Sequence, residues 1–187
     1  MLLKLNDAMF GNATPDQSFY MLFGDVNTDV AKEVCEWIMQ ANFATDNKPV
    51  VLNLVICSPG GDMNAANAII DVMRGSHIPV RCVGLGQIAS AGLLIFIAGE
   101  KGMRVLTENT SIMSHWWNWG AAGSPHELMA AVKEFDLTTK RMISHYVKCT
   151  KLKEKDVIKY LLPKEDAYLT TDEALKYGIC DIVSKLK

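Results

Sequence analysis

The chain has 187 residues, enough to bury most of the surface its unfolded form exposes, and 49% apolar with 21% charged residues is an ordinary globular composition. A formal net charge of −2, with no Lys/Arg cluster interleaved with aromatics, excludes the electrostatic footprint of a nucleic-acid binder. Five scattered cysteines (Cys35, Cys57, Cys82, Cys149, Cys180) that never form C-x-x-C exclude a zinc knuckle and a disulfide framework, and read as buried free thiols in a reducing compartment.

The opening MLLKLNDAMF lacks the apolar core of a secretory signal, and the longest apolar run, AGLLIFIAG (91–99), is far short of the ~20 residues that span a bilayer. The expectation is a cytoplasmic protein with no membrane contact. In chain order, SFYMLFGDV (18–26) reads as a strand, DVAKEVCEWIMQA (29–41) as an amphipathic helix and PVVLNLVIC (49–57) as a strand. DMNAANAIIDVMRG (62–75) is a helix closing on Gly75, IPVRCVGLG (78–86) a strand, and 90–99 a short buried helix. This alternation implies βαβ crossovers and a mainly parallel sheet covered by helices, so the fold class is α/β.

Past residue 100, short strands at MRVLT (103–107) and SIMSH (111–115) lead through NWGAAGS into a long helix over about 124–148. SPHE (124–127) marks its start as a capping box with proline at the first helical position, so Ser124 and Glu127 satisfy otherwise unpaired amides. Leu128, Val132, Phe135, Met142, Ile143 and Tyr146 recur near helical spacing. A helix this long in so small a domain is expected to project and to seek a partner surface. A helix near 153–161, the loop PKEDAYL (163–169), a helix over TDEALKYG (171–178) and a strand CDIVS (180–184) complete a single domain over 1–187.

The segment GQIASAGLLIFIAG (86–99) sets one hydroxyl, Ser90, among alanines and glycines just ahead of the buried run. It is either a small packing residue or a nucleophile, and the second reading needs a base, a group that orients the base, and an oxyanion hole. His126 and His145 lie in the predicted long helix and read as surface residues, and His77 sits in an exposed turn. His115 ends an apolar strand and opens a glycine-containing loop, the kind of rim from which catalytic groups are presented. By composition SPGGD (58–62) is a turn; it also offers unencumbered amides at Gly60 and Gly61, and the Ala91 amide is a second donor if Ser90 starts a helix.

Strand, SPGG, helix, strand, GQIASAG, strand and SIMSH together resemble the ClpP family, the proteolytic subunit of ATP-dependent Clp proteases, over roughly residues 20 to 185. The family's G-Q-A-A-S-x-G matches Gly86 to Gly92, its A-G-x-K-G-x-R matches Ala98 to Arg104, and its strand before the histidine resembles Ser111 to His115. The segment Asp166-Ala167-Tyr168-Leu169-Thr170 through Asp181 resembles the family's stretch around its catalytic aspartate. The resemblance implies a ClpP/crotonase-like fold of repeated β-β-α and βαβ units with a long protruding helix. It also implies a Ser90, His115, Asp166 triad, with the amides of Gly61 and Ala91 holding the oxyanion and no metal or cofactor. The implied partners are polypeptide substrates, further copies in heptameric rings stacked in pairs, and an AAA+ unfoldase.

The chain departs from the family at three places. Asn53 and Val55 stand where relatives carry outward-facing aromatics of the unfoldase pocket, Lys164-Glu165 replaces an arginine used in contacts between rings, and HWWNWG (115–120) replaces a glycine-rich substrate-binding segment. Trp116, Trp117, Trp119 and Gly120, with Gly60, are therefore candidates for a substrate or oligomer surface. The competing readings are an enoyl-CoA hydratase-like enzyme, an inactive ring subunit, and a processing peptidase that acts without an unfoldase. The presence of Ser90, His115 and Asp166 argues against the first two, and Asn53 with Val55 keeps the third open.

Overall fold

The computed structural model describes residues 17–185, in which strands β1 (Gln17–Phe23), β2 (Val51–Ser58), β3 (Val80–Ala89), β4 (Arg104–Thr107), β5 (Ser111–Ser114), β6 (Ala167–Leu169) and β7 (Ile182–Ser184) form one sheet. The helices between them are α1 (Thr28–Phe43), α2 (Met63–Gly75), α3 (Ala91–Ile97), α4 (Pro125–Cys149), α5 (Glu154–Tyr160) and α6 (Thr171–Tyr177). Local chemistry starts the helices where the sequence predicts. Asn27 and Asp62 cap α1 and α2 by accepting from the amides of Val30 and Ala65, and Ser124 with Glu127 and Thr170 with Glu173 form capping boxes on α4 and α6.

The strands run parallel in the order β1-β2-β3-β4-β7, as βαβ alternation requires, and β5 also pairs parallel with β3. β3 serves both partners in turn: Cys82–Gly84 pair with β4, and Gln87–Ala89 pair with β5 beyond a register shift. It therefore runs three residues past Gly86, where the sequence pattern ends it, and hands the chain directly to Ser90. The segment predicted as a loop at 163–169 contains β6, antiparallel to β5.

One face of the sheet, with Leu22, Leu52, Leu54, Ile56, Cys82, Ile88, Leu106 and Ile112, joins residues from every helix in the main core. Among the described residues the other face holds a small strand-built cluster, Val55, Val83 and Val105 with Leu85, and Met21 and Phe23 of β1 are 58 and 52% exposed. Parallel sheets are ordinarily covered on both faces, and among the described residues the helices lie on one of them. Asn53 and Val55 do point to this outer face, yet both are buried. Asn53 donates to Gln17 and to the Ser18 carbonyl and accepts from Arg81, and Val55 packs in the small cluster. They are not open positions: Asn53 is tied to Gln17 and Arg81 on the neighbouring strands, and Val55 is buried beside Val83 of β3 and Val105 of β4.

α4 divides in two. Residues 125–137 include none that is buried, whereas Thr138, Met142, His145 and Tyr146 are. His145, read from sequence as a surface residue, is buried beneath α3: its Nε2 lies 2.8 Å from the Leu94 carbonyl, and Arg74 donates to Nδ1 at 2.8 Å. Burial, with Arg74 and Lys148 nearby, lowers its pKa from 6.5 to about 4. Cys82 and Cys180 are buried, while the thiols of Cys35, Cys57 and Cys149 are only half-buried; all five are free. No described helix is long and apolar enough to cross a membrane.

Candidate active site

Ser90 sits between the end of β3 and the first turn of α3, with φ +52° and ψ −123°, a region that costs a non-glycine residue of order 1–3 kcal/mol. It is held from both sides: its amide donates to the Met113 carbonyl at 3.0 Å, and its own carbonyl accepts from Leu93 and Leu94. A serine preceding a helix usually turns its hydroxyl onto the first amides. Ser90 makes no such cap, and its Oγ lies 2.8 Å from His115 Nε2.

β5 ends at Ser114, so His115 is the first residue beyond the ladder, one strand away from Ser90. β6 brings Asp166 to the same place, since Ala167 pairs with Ser114. Asp166 Oδ1 is 3.6 Å from His115 Nδ1, beyond direct hydrogen-bond range, and its side chain is 53% exposed against 19% for His115. In this state the serine–histidine contact is made and the histidine–aspartate contact is open. The other two acids near that motif are used elsewhere: Asp172 lies in the first turn of α6, and Asp181 takes a two-oxygen ion pair from Arg104. Burial opposes the Asp181 charge, but hydrogen bonds from Arg104 and Gly102 hold its pKa below the usual carboxylate value.

The SPGG turn lies against Ser90. A Cβ on Gly60, at φ +105°, would come within 2.7 Å of the Ser90 Cβ, and one on Gly61, at φ +143°, would collide with the Val26 carbonyl. Val26 staples this turn by donating to the Gly60 carbonyl at 2.7 Å and accepting from Asp62 at 2.8 Å. In such a parallel bridge the middle residue turns its own amide away, so the Gly61 N–H is left without a backbone acceptor. The Ala91 N–H, first in α3, has no intrahelical acceptor either. Val26 carries no signal that a sequence reading could use. Ser58, whose Oγ accepts from the Gly60 amide at 3.1 Å, does carry one in the short serine-to-glycine turn.

Beyond His115, Trp116 and Trp117 are half-buried, and Trp119 and Gly120 are exposed. Trp117 stacks on Phe135 of α4, with centroids 5.2 Å apart, and its indole N–H donates to Thr139 at 3.1 Å; Trp119 meets the same Phe135 ring at 5.3 Å.

The Clp protease family model matches residues 12–187. The ATP-dependent Clp protease proteolytic subunit of Deinococcus radiodurans is 30% identical over 160 residues, which cover 84% of this chain and 78% of that protein. Proteolytic subunit 2 of the Nocardia farcinica enzyme is 29% identical over 181 residues, 97% of this chain and 87% of that one. From a match that spans the whole described fold, the chain belongs to the Clp protease family and is a serine-type peptidase.

Proposed function

We propose that Ser90, His115 and Asp166 are the catalytic triad of an endopeptidase that cleaves short peptides and unfolded polypeptides through an acyl-enzyme. The observation that carries this is the 2.8 Å contact between Ser90 Oγ and His115 Nε2 at a strained, uncapped serine. His115 takes the Ser90 proton as the hydroxyl attacks a peptide carbonyl, and the amides of Gly61 and Ala91 bind the oxyanion that forms. His115 then returns the proton to the leaving amine, and water, activated the same way, releases the acyl group. Asp166 steadies the imidazolium. Its present separation suits a contact that tightens when substrate is bound. Gly60 beside Ser90, Trp116 beside His115, and the exposed Trp119 and Gly120 are assigned to substrate contact. No step needs a metal or cofactor.

The same reading places the peptidase in rings of seven copies stacked in pairs. Its support is a pair of apolar surfaces that stand exposed among the described residues: the outer half of α4, with Leu128, Met129 and Val132, and the β1 face, with Met21 and Phe23. The names of the relatives, subunits of ATP-dependent proteases, support an ATP-consuming partner, which this reading takes to be an unfoldase acting in the cytoplasm. A fluorophosphonate with native mass measurement tests site and assembly together. Labelling of the 86–99 peptide that disappears in Ser90→Ala, on a species much heavier than 20.7 kDa, supports the reading, and peptidase activity that persists in Ser90→Ala refutes it.

A further inference from the structure

The chain on both sides of His115 is tied to one helix. On one side the Ser114 and Tyr146 hydroxyls lie 2.8 Å apart, both side chains buried. On the other, Trp117 is fixed to Thr139 and Phe135, and Trp119 to Phe135 again. As the chain advances from 114 to 119, its anchors on α4 recede from 146 to 139 to 135, so the segment runs antiparallel to the helix. The lengths match: five extended residues reach about 17 Å, and eleven helical residues rise about 16 Å. Residues 115–120 belong to no strand or helix, so no ladder fixes them. With Asp166 half-exposed and 3.6 Å away, that carboxylate does not lock the imidazole in this state.

We propose that residues 114–119 are a taut strap along α4 and that Trp117 is a positioning residue, holding His115 against Ser90 through Phe135 and Thr139. This rests on the triad reading above. The stack sets where the strap lies across the helix, and the indole N–H sets how far along it. A shorter apolar side chain would fill part of the space and lose that register.

The test compares the wild type with Trp117→Ala, Trp117→Phe and Thr139→Val. It reads the rate constant for Ser90 labelling by a small fluorophosphonate, the labelled fraction at completion, and kcat and KM on a short fluorogenic peptide. A merely structural residue lowers the labelled fraction, whereas a positioning residue lowers the rate at full labelling. Trp117→Ala is expected to label completely but about tenfold more slowly, with kcat reduced and KM within about twofold. Trp117→Phe, which keeps the stack, and Thr139→Val, which removes only the acceptor, are expected to be slowed about two- to fivefold. Full labelling at the wild-type rate in Trp117→Ala overturns the strap. If that variant does not fold, a wild-type rate in Thr139→Val overturns it instead. A wild type that is not labelled at Ser90 refutes the triad reading itself, an outcome distinct from both.

Discussion

The two halves of α4 obey the same local rules and do opposite work. Both carry apolar residues at helical spacing, yet Met142 and Tyr146 are sealed in the core while Met129 and Val132 stand 73 and 51% exposed. Periodicity establishes that a helix has an apolar face. It does not say whether the domain reaches far enough to cover it, and here the cover stops at Thr138.

The largest expected effect is a direct contrast between the halves. Met142→Ala should cost about 2–5 kcal/mol in urea unfolding through the cavity it leaves, while Met129→Ala should change the unassembled chain by less than about 0.5 kcal/mol. A Met129→Ala cost that appears at high protein concentration and vanishes on dilution would move that residue's contribution into an interface between copies.

Acid should act on the inner half next. His145 is held neutral when folded, with its pKa at about 4, while the unfolded chain takes up the proton near 6.5. Its contribution is therefore complete above pH 6.5 and is lost as pH falls towards 4, by up to about 3 kcal/mol. Chemical denaturation across that window should show the loss, and His145→Gln should flatten the curve there.

Tyr146→Phe should follow, at about 1–3 kcal/mol in the same unfolding measurement, because it leaves the buried Ser114 hydroxyl without its partner. The smallest effect belongs to the outer half. Ser124→Ala removes one side of the capping box and should cost about 1 kcal/mol locally, seen as faster hydrogen exchange of the first α4 amides with little change in global stability. A global loss as large as that of Tyr146→Phe would show that the outer half is coupled to the core after all.

Much of the proposed site is legible in the chain. Ser90, His115 and Asp166 lie in recognisable segments, and the geometry brings Ser90 and His115 into contact. His145 illustrates the limit. A histidine in an amphipathic helix reads as surface, and only the packing of α3 across α4 puts the Leu94 carbonyl over it. Asn53 and Val55 are a second case: the two-residue period gives their direction correctly, but cover depends on which side chains the neighbouring strands lay beside them.

By itself the sequence determined the helix starts and the parallel run of the strands implied by βαβ alternation, because caps and periodicity act over a few neighbouring positions, while Ser90, His115 and Asp166 stood out as a set only through the family resemblance of their segments. Tertiary structure alone decided that β3 continues past Gly86 to deliver Ser90, that β6 pairs with β5 to bring Asp166 beside His115, and that the tryptophans turn onto α4. Those outcomes come from pairings and contacts between residues tens of positions apart, whose geometry exists only once the sheet and the long helix have met.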